Sequence, residues 1–138
     1  MKVLIIDDSF HSRRYAQFML QQLNCEVHTA ENGEIGLEIT KNENIDLIIL
    51  DWNMPGMGGK MTLEKLHQMK HYHRDHPFKI IIYSGQLFNE ISLPKDKSLD
   101  VALFISKKLS PIQQFKYFQK CVQSQSKKKG NIRRSYAS

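Results

Sequence analysis

Long hydrophobic runs are missing from this sequence. No apolar stretch reaches the roughly 18 residues that span a bilayer. The opening run Val3-Leu4-Ile5-Ile6 is cut off by Asp7-Asp8, too early for a secretory signal. Cysteine is scarce: Cys25 and Cys121 lie far apart and make no metal-type spacing. A disulfide scaffold is therefore not expected, and the pair reads as inert thiols in a reducing cytoplasm. Repeats and an internal domain boundary are also absent. The one strong imbalance is local: from Ser124 onward there are five basic residues (Lys127, Lys128, Lys129, Arg133, Arg134) and no acid. The net charge of +6 thus describes a tail, while the rest is near neutral. We expect a globular body over 1–123 and a basic tail over 124–138.

Three segments are almost continuously apolar and rich in β-branched residues: Val3–Ile6, Ile45 with Leu47–Leu50, and Ile80–Tyr83. Strands apolar on both faces belong inside a parallel sheet covered by helices on each side. Glu26–Ala30 reads as an edge strand and Ala102–Ser106 as the last strand. Ala16, Met19, Leu20 and Leu23 fall at helical spacing, as do Leu63, Leu66 and Met69, and then Ile112, Phe115, Phe118 and Val122. A less periodic helix is expected near Gly33–Lys41. Ser110, Pro111 and Gln113 form a helix start. The segment Glu90–Asp100 should hold a fourth helix, but Pro94 interrupts it. This β-α alternation predicts an α/β fold, a flavodoxin-like (βα)5 doubly wound parallel sheet with strand order 2-1-3-4-5.

In such a sheet ligands bind beyond the carboxyl ends of the strands. Asp7 and Asp8 end the first strand, Asp51 the third and Ser84 the fourth, and Lys107 follows the fifth. A single Asp at a strand end is ordinarily a turn or cap residue, and Asp8-Ser9 would serve as a cap. Three on one rim are different, because they repel. Two carboxylates about 4 Å apart cost on the order of 4 kcal/mol at an effective dielectric near 20. They stay ionised only with positive charge among them, and oxygen ligands with room for water suit Mg2+ or Mn2+.

Four blocks in order carry a resemblance: Asp7-Asp8-Ser9 with Arg13-Arg14; Asp51-Trp52-Asn53-Met54-Pro55-Gly56-Met57-Gly58-Gly59; Ser84-Gly85; and Phe104-Ile105-Ser106-Lys107. Over about residues 1–123 the chain resembles the receiver domains of response regulators, especially stand-alone, CheY-like chemotaxis receivers of bacterial two-component systems. The resemblance implies that Asp51 is the phosphoacceptor. Its donor would be a sensor histidine kinase or a histidine phosphotransfer protein. Asp7, Asp8, Asp51 and the backbone carbonyl of Asn53 would hold the metal. Lys107 and Ser84 would contact the phosphoryl group, Ser84 and Phe104 would form the switch, and Asn53 and Gln86 would tune its hydrolysis. The output would be altered binding to a downstream protein target, so the chain would be a phosphorelay switch rather than an enzyme of metabolism.

Two departures stand out. Lys108 occupies a position where the family usually has a proline after a commonly cis bond, so the geometry at Lys107-Lys108 is open. The interrupted fourth helix falls on the family's output face. An alternative reading is a degenerate receiver acting as a phosphorylation-independent interaction module. The tail lacks the aromatic interleaving of a nucleic-acid surface, and we expect it to be solvated. His67, His71, His73 and His76 gather near the end of the third helix and read as a solvated helix end rather than a metal site. Trp52 should lie partly exposed beside the acids.

Overall fold

The computed structural model describes residues 1–72, 76–86 and 101–137, with side chains described at 1–70, 76–86 and 101–124. The elements are β1 (Lys2–Ile6), α1 (Phe10–Gln22), β2 (Glu26–Ala30), α2 (Gly33–Asn42), β3 (Leu47–Leu50), α3 (Gly59–Tyr72), β4 (Lys79–Ser84), β5 (Val101–Ser106) and α4 (Pro111–Ala137). All five strands are parallel, in the order β2-β1-β3-β4-β5. The flavodoxin-like arrangement expected from the sequence is therefore present. Segment 90–100 lies outside the described residues.

Alternation along the inner strands sorts their side chains between two cores. Val3 and Ile5 of β1, Leu47 and Ile49 of β3, and Ile81 and Tyr83 of β4 pack with Ala16, Met19 and Leu20 of α1 and Phe118 and Val122 of α4. Leu4, Ile6, Ile48, Leu50, Ile80 and Ile82 pack on the opposite face with Leu63 and Leu66 of α3. Both faces being covered explains why these strands carry almost no polar residues. The outer strand β2 shows the mixed burial of an edge.

Local signals set the helix starts. The Ser9 side chain accepts from the backbone N–H of Ser12 at α1, and that of Asn32 accepts from Ile35 at α2. Ser110 and Gln113 make a reciprocal box at α4: the Gln113 N–H donates to Ser110 Oγ (3.3 Å) and the Ser110 N–H to Gln113 Oε1 (3.2 Å). The phase of α4 differs from the apolar stripe read in the sequence. Ile112 is 70% exposed, and the buried position one turn before Phe118 belongs to Gln114, at 4%. The buried ridge is thus Gln114, Phe118 and Val122, at i, i+4 and i+8. The helix continues through the basic segment to Ala137. No helix among the described residues is long and apolar enough to cross a membrane. Cys25 and Cys121 are free thiols.

The turn after β3 packs tightly under α3. A Cβ at Gly59 would lie 2.5 Å from Trp52 Cα and 2.7 Å from the Asp51 carbonyl oxygen, whereas one at Gly58 meets nothing closer than 3.8 Å. Gly59→Ala is therefore expected to lower stability in urea unfolding by on the order of 2 kcal/mol, through forced backbone shifts. Gly58→Ala should change it by less than about 1 kcal/mol. Phe118→Ala, which empties a fully buried site in edge-to-face contact with Tyr83, should cost about 3–5 kcal/mol in the same measurement.

Candidate phosphoacceptor site

Parallel pairing brings the strand ends level. Ile6 pairs with Leu50, and Leu50 with Ile82. Asp7-Asp8 and Asp51, which follow directly, and Ser84 at the end of β4 therefore open onto one rim. Backbone bonds fix the first two strand ends: Asp51 N–H donates to the Ile6 carbonyl (2.8 Å) and Asp7 N–H to the Ala30 carbonyl (3.0 Å). The carboxylates of Asp7, Asp8 and Asp51 each offer an oxygen within 4.8 Å of the others. Asp7 is 1% exposed and Asp51 5%, while Asp8 is exposed. The pocket is therefore deep on two sides and open on the third. Asp8 does not cap α1. That role falls to Ser9, whose own N–H donates to Asp7 Oδ1 at 2.9 Å. Arg13 reaches back to donate to the Asp7 carbonyl at 2.7 Å.

Lys107 enters from the far side of the rim. Its Nζ lies 2.6 Å from Asp7 Oδ2 and 3.6 Å from Asp51 Oδ1. Its backbone N–H donates to the Ser84 carbonyl at 2.8 Å, tying the end of β5 to the end of β4. The Lys107-Lys108 bond is trans. The Lys108 N–H, which a proline would lack, donates to Ser106 Oγ at 3.1 Å and closes the turn. Ser84 is buried, and its Oγ accepts from the Gln86 N–H at 3.2 Å. Phe104 stands on β5 opposite Ile82, half-buried against the α3-side core. Asn53 is exposed in the loop after Asp51, and Trp52 is half-buried beside it.

The electrostatics follow from this crowding. Burial, then the neighbouring Asp7 charge, push the Asp51 carboxyl up to about 7. Lys107 opposes that rise, while Asp8 adds to it by hydrogen bond and charge. An all-oxygen donor set with one open side suits a hard, partly hydrated divalent cation such as Mg2+ or Mn2+. Among the described residues this is the one group with metal-binding geometry. His76 instead meets Asp46 (3.1 Å) at the other end of the sheet, and the side chains of His71 and His73 lie outside the described residues.

Two further participants, Tyr83 and Gln114, lie outside the four sequence blocks. Tyr83 reads as core and Gln114 lies off the apolar stripe, yet the Tyr83 hydroxyl donates to Gln114 Oε1 at 2.6 Å. The available signal was a polar residue one helical turn before Phe118, on the stripe that continues to Val122.

Fold and site together define a doubly wound α/β domain with an acidic, lysine-bearing pocket at its C-terminal rim. Residues 3–118 match the response regulator receiver domain family, and the chain belongs to that family as a CheY-like receiver. It is 37% identical over 87 residues to a chemotaxis protein CheY homolog of Campylobacter jejuni, spanning 62% of this chain and 66% of that relative's length, just under two thirds. It superposes on Vibrio cholerae CheY4 with a TM-score of 0.69 at 27% identity, covering 86% of this chain and 96% of the other. The Thermotoga maritima response regulator TrrA, solved in complex with Mg2+-BeF, gives a TM-score of 0.70 at 26% identity over 90% of this chain and 97% of that one.

A raised Asp51 makes the stability of the metal-free protein fall with rising pH. The folded state keeps the proton up to about pH 7, whereas an unfolded Asp releases it near pH 4, so stability falls as pH rises between the two. Solvent at the open side screens the effect to on the order of 1–2 kcal/mol. In chelator, Asp51→Asn is therefore expected to match wild type near pH 4 and to exceed it in urea midpoint by pH 7. An equal midpoint at both pH values would contradict the assignment.

Proposed function

We propose that Asp51 accepts a phosphoryl group from a phosphohistidine on a sensor kinase or phosphotransfer protein, and that the modified domain changes its affinity for a downstream protein. The single observation that carries this is the ammonium of Lys107 seated between Asp7 and Asp51 in a pocket otherwise made of acids. A structural ion pair needs one acid. This arrangement has three, and it faces the rim where an α/β sheet takes its ligands.

In this reading Asp7, Asp8, Asp51 and the Asn53 carbonyl hold the divalent cation. Mg2+, when bound, supplies positive charge against the phosphoryl oxygens. An Asp51 oxygen forms the new P–O bond while the P–N bond to the donor imidazole breaks and its electron pair leaves with the ring. Lys107 turns from Asp51 toward a phosphoryl oxygen while keeping Asp7. Ser84 Oγ exchanges its acceptance from Gln86 for donation to another oxygen, drawing its loop inward and giving the Phe104 ring room to turn. Asn53 and Gln86 can orient water but are poor bases, so hydrolysis of the acyl phosphate is slow. The reading places the protein in the cytoplasm, with 1–123 as the receiver and 124–138 as a basic appendage.

Incubation with acetyl phosphate and Mg2+, followed by intact-mass measurement, should show the gain of one phosphoryl group. The gain should vanish in Asp51→Asn and in excess chelator. Lys107→Ala should still bind Mg2+ but react at least about tenfold more slowly, having lost one charged donor to the transferring group. An Asp51→Asn protein that still gains the group would contradict the assignment.

A further inference from the structure

Lys107 has no proline behind it to stiffen its turn, yet its ammonium is closely placed. Gln114 of α4 accounts for this. Its Nε2 donates to the Lys107 carbonyl at 3.1 Å and to the Leu109 carbonyl at 2.8 Å, spanning the Lys107–Leu109 turn. Its Oε1 accepts from the Tyr83 hydroxyl at 2.6 Å. Both side chains are buried, Gln114 at 4% exposed and Tyr83 at 2%. The amide orientation is unambiguous, since a flipped amide would set oxygen against two carbonyls. Burial, with Asp7 next in effect, raises the Tyr83 pKa, so its O–H remains a donor. The Lys107 ammonium in turn lies 5.3 Å from the centroid of the Tyr83 ring. Backbone and side chain of Lys107 are thus held from the same Tyr83–Gln114 pair.

We infer that Gln114, oriented by Tyr83, is a positioning residue for Lys107: it fixes the turn so that the ammonium falls between Asp7 and Asp51. The functional consequence rests on the reading of Asp51 as phosphoacceptor, while the geometric one does not. An unmade bond at a buried amide is costly, so the side chain has no comfortable alternative to this clamp. A misplacement of about 1 Å at a reacting group can cost up to about a hundredfold in rate.

The test compares Gln114→Leu, which removes donor and acceptor, with Tyr83→Phe, which removes only the hydroxyl that orients the amide. Each is made in wild-type and Lys107→Ala backgrounds, with folding checked by circular dichroism. Acetyl phosphate with Mg2+ serves as donor, and Trp52 fluorescence reports Mg2+ binding. Gln114→Leu is expected to slow phosphorylation roughly ten- to a hundred-fold, with Tyr83→Phe falling between it and wild type. Mg2+ affinity should not fall, because the acids that would hold the metal are untouched and a displaced ammonium competes with it less. In Lys107→Ala neither substitution should slow the reaction further. An unchanged rate in folded Gln114→Leu overturns the inference, and so does an equal loss in both backgrounds, which would mark a general structural role. Should Gln114→Leu fail to fold, Tyr83→Phe decides by the same two criteria. If wild type itself takes no phosphoryl group, the phosphoacceptor reading fails separately. The positioning claim is then settled by NMR of the Lys107 ε-methylene: a shift in Gln114→Leu supports the clamp, and an unmoved resonance overturns it.

Discussion

Mutual repulsion of three carboxylates at a half-buried strand rim is the constraint on which this molecule depends. Asp7 and Asp51 are almost wholly buried, where an unpaired charge is costly. Asp8 adds a third charge at the open side. A pair about 4 Å apart stands on the order of 4 kcal/mol above separation at an effective dielectric near 20, enough to matter against a total folding stability of 5–15 kcal/mol, as is typical of domains. Lys107 relieves part of this at 2.6 Å from Asp7, while burial, with the Asp7 charge next in effect, still holds the Asp51 carboxyl raised. The site is thus poised: its acids are organised, and their charge calls for a cation.

The rest of the fold serves that poise. A parallel sheet ends all its strands on one side, so acids distant in sequence converge without any loop having to carry them. The two apolar cores on either face keep β1, β3 and β4 rigid beneath the rim. Gly59 lets α3 start directly against the Asp51 turn. On the other side, β5 and α4 deliver Lys107 through bonds to Ser84 and Gln114. A modified Asp51 would therefore be felt by β4, β5 and α4 together.

Much of this was legible in the residues. Val3–Ile6, Leu47–Leu50 and Ile80–Tyr83 announced inner strands because burial on both faces leaves no polar alternation. The rim acids were legible because a parallel topology fixes where strand ends point. Gln114 was not, since hydrophobic periodicity registers apolar residues and passes over a buried amide whose partners are a tyrosine and two carbonyls. For the same reason the apolar stripe takes in Ile112, which is exposed. Asp46 interrupts an apolar run, yet it is buried and accepts from the Lys2 N–H at 2.7 Å, anchoring the start of β1. The sequence alone leaves the Lys107-Lys108 bond open. It is trans, with the extra N–H used inside the turn.

The most direct measurement is fluorine NMR of the protein with beryllofluoride, whose BeF3− stands in for the phosphoryl group on a carboxylate. With Mg2+ present the account predicts protein-bound fluorine resonances that vanish in Asp51→Asn and change in Lys107→Ala. Spectra showing only free fluoroberyllate at saturating Mg2+, from a folded wild-type protein, would contradict it.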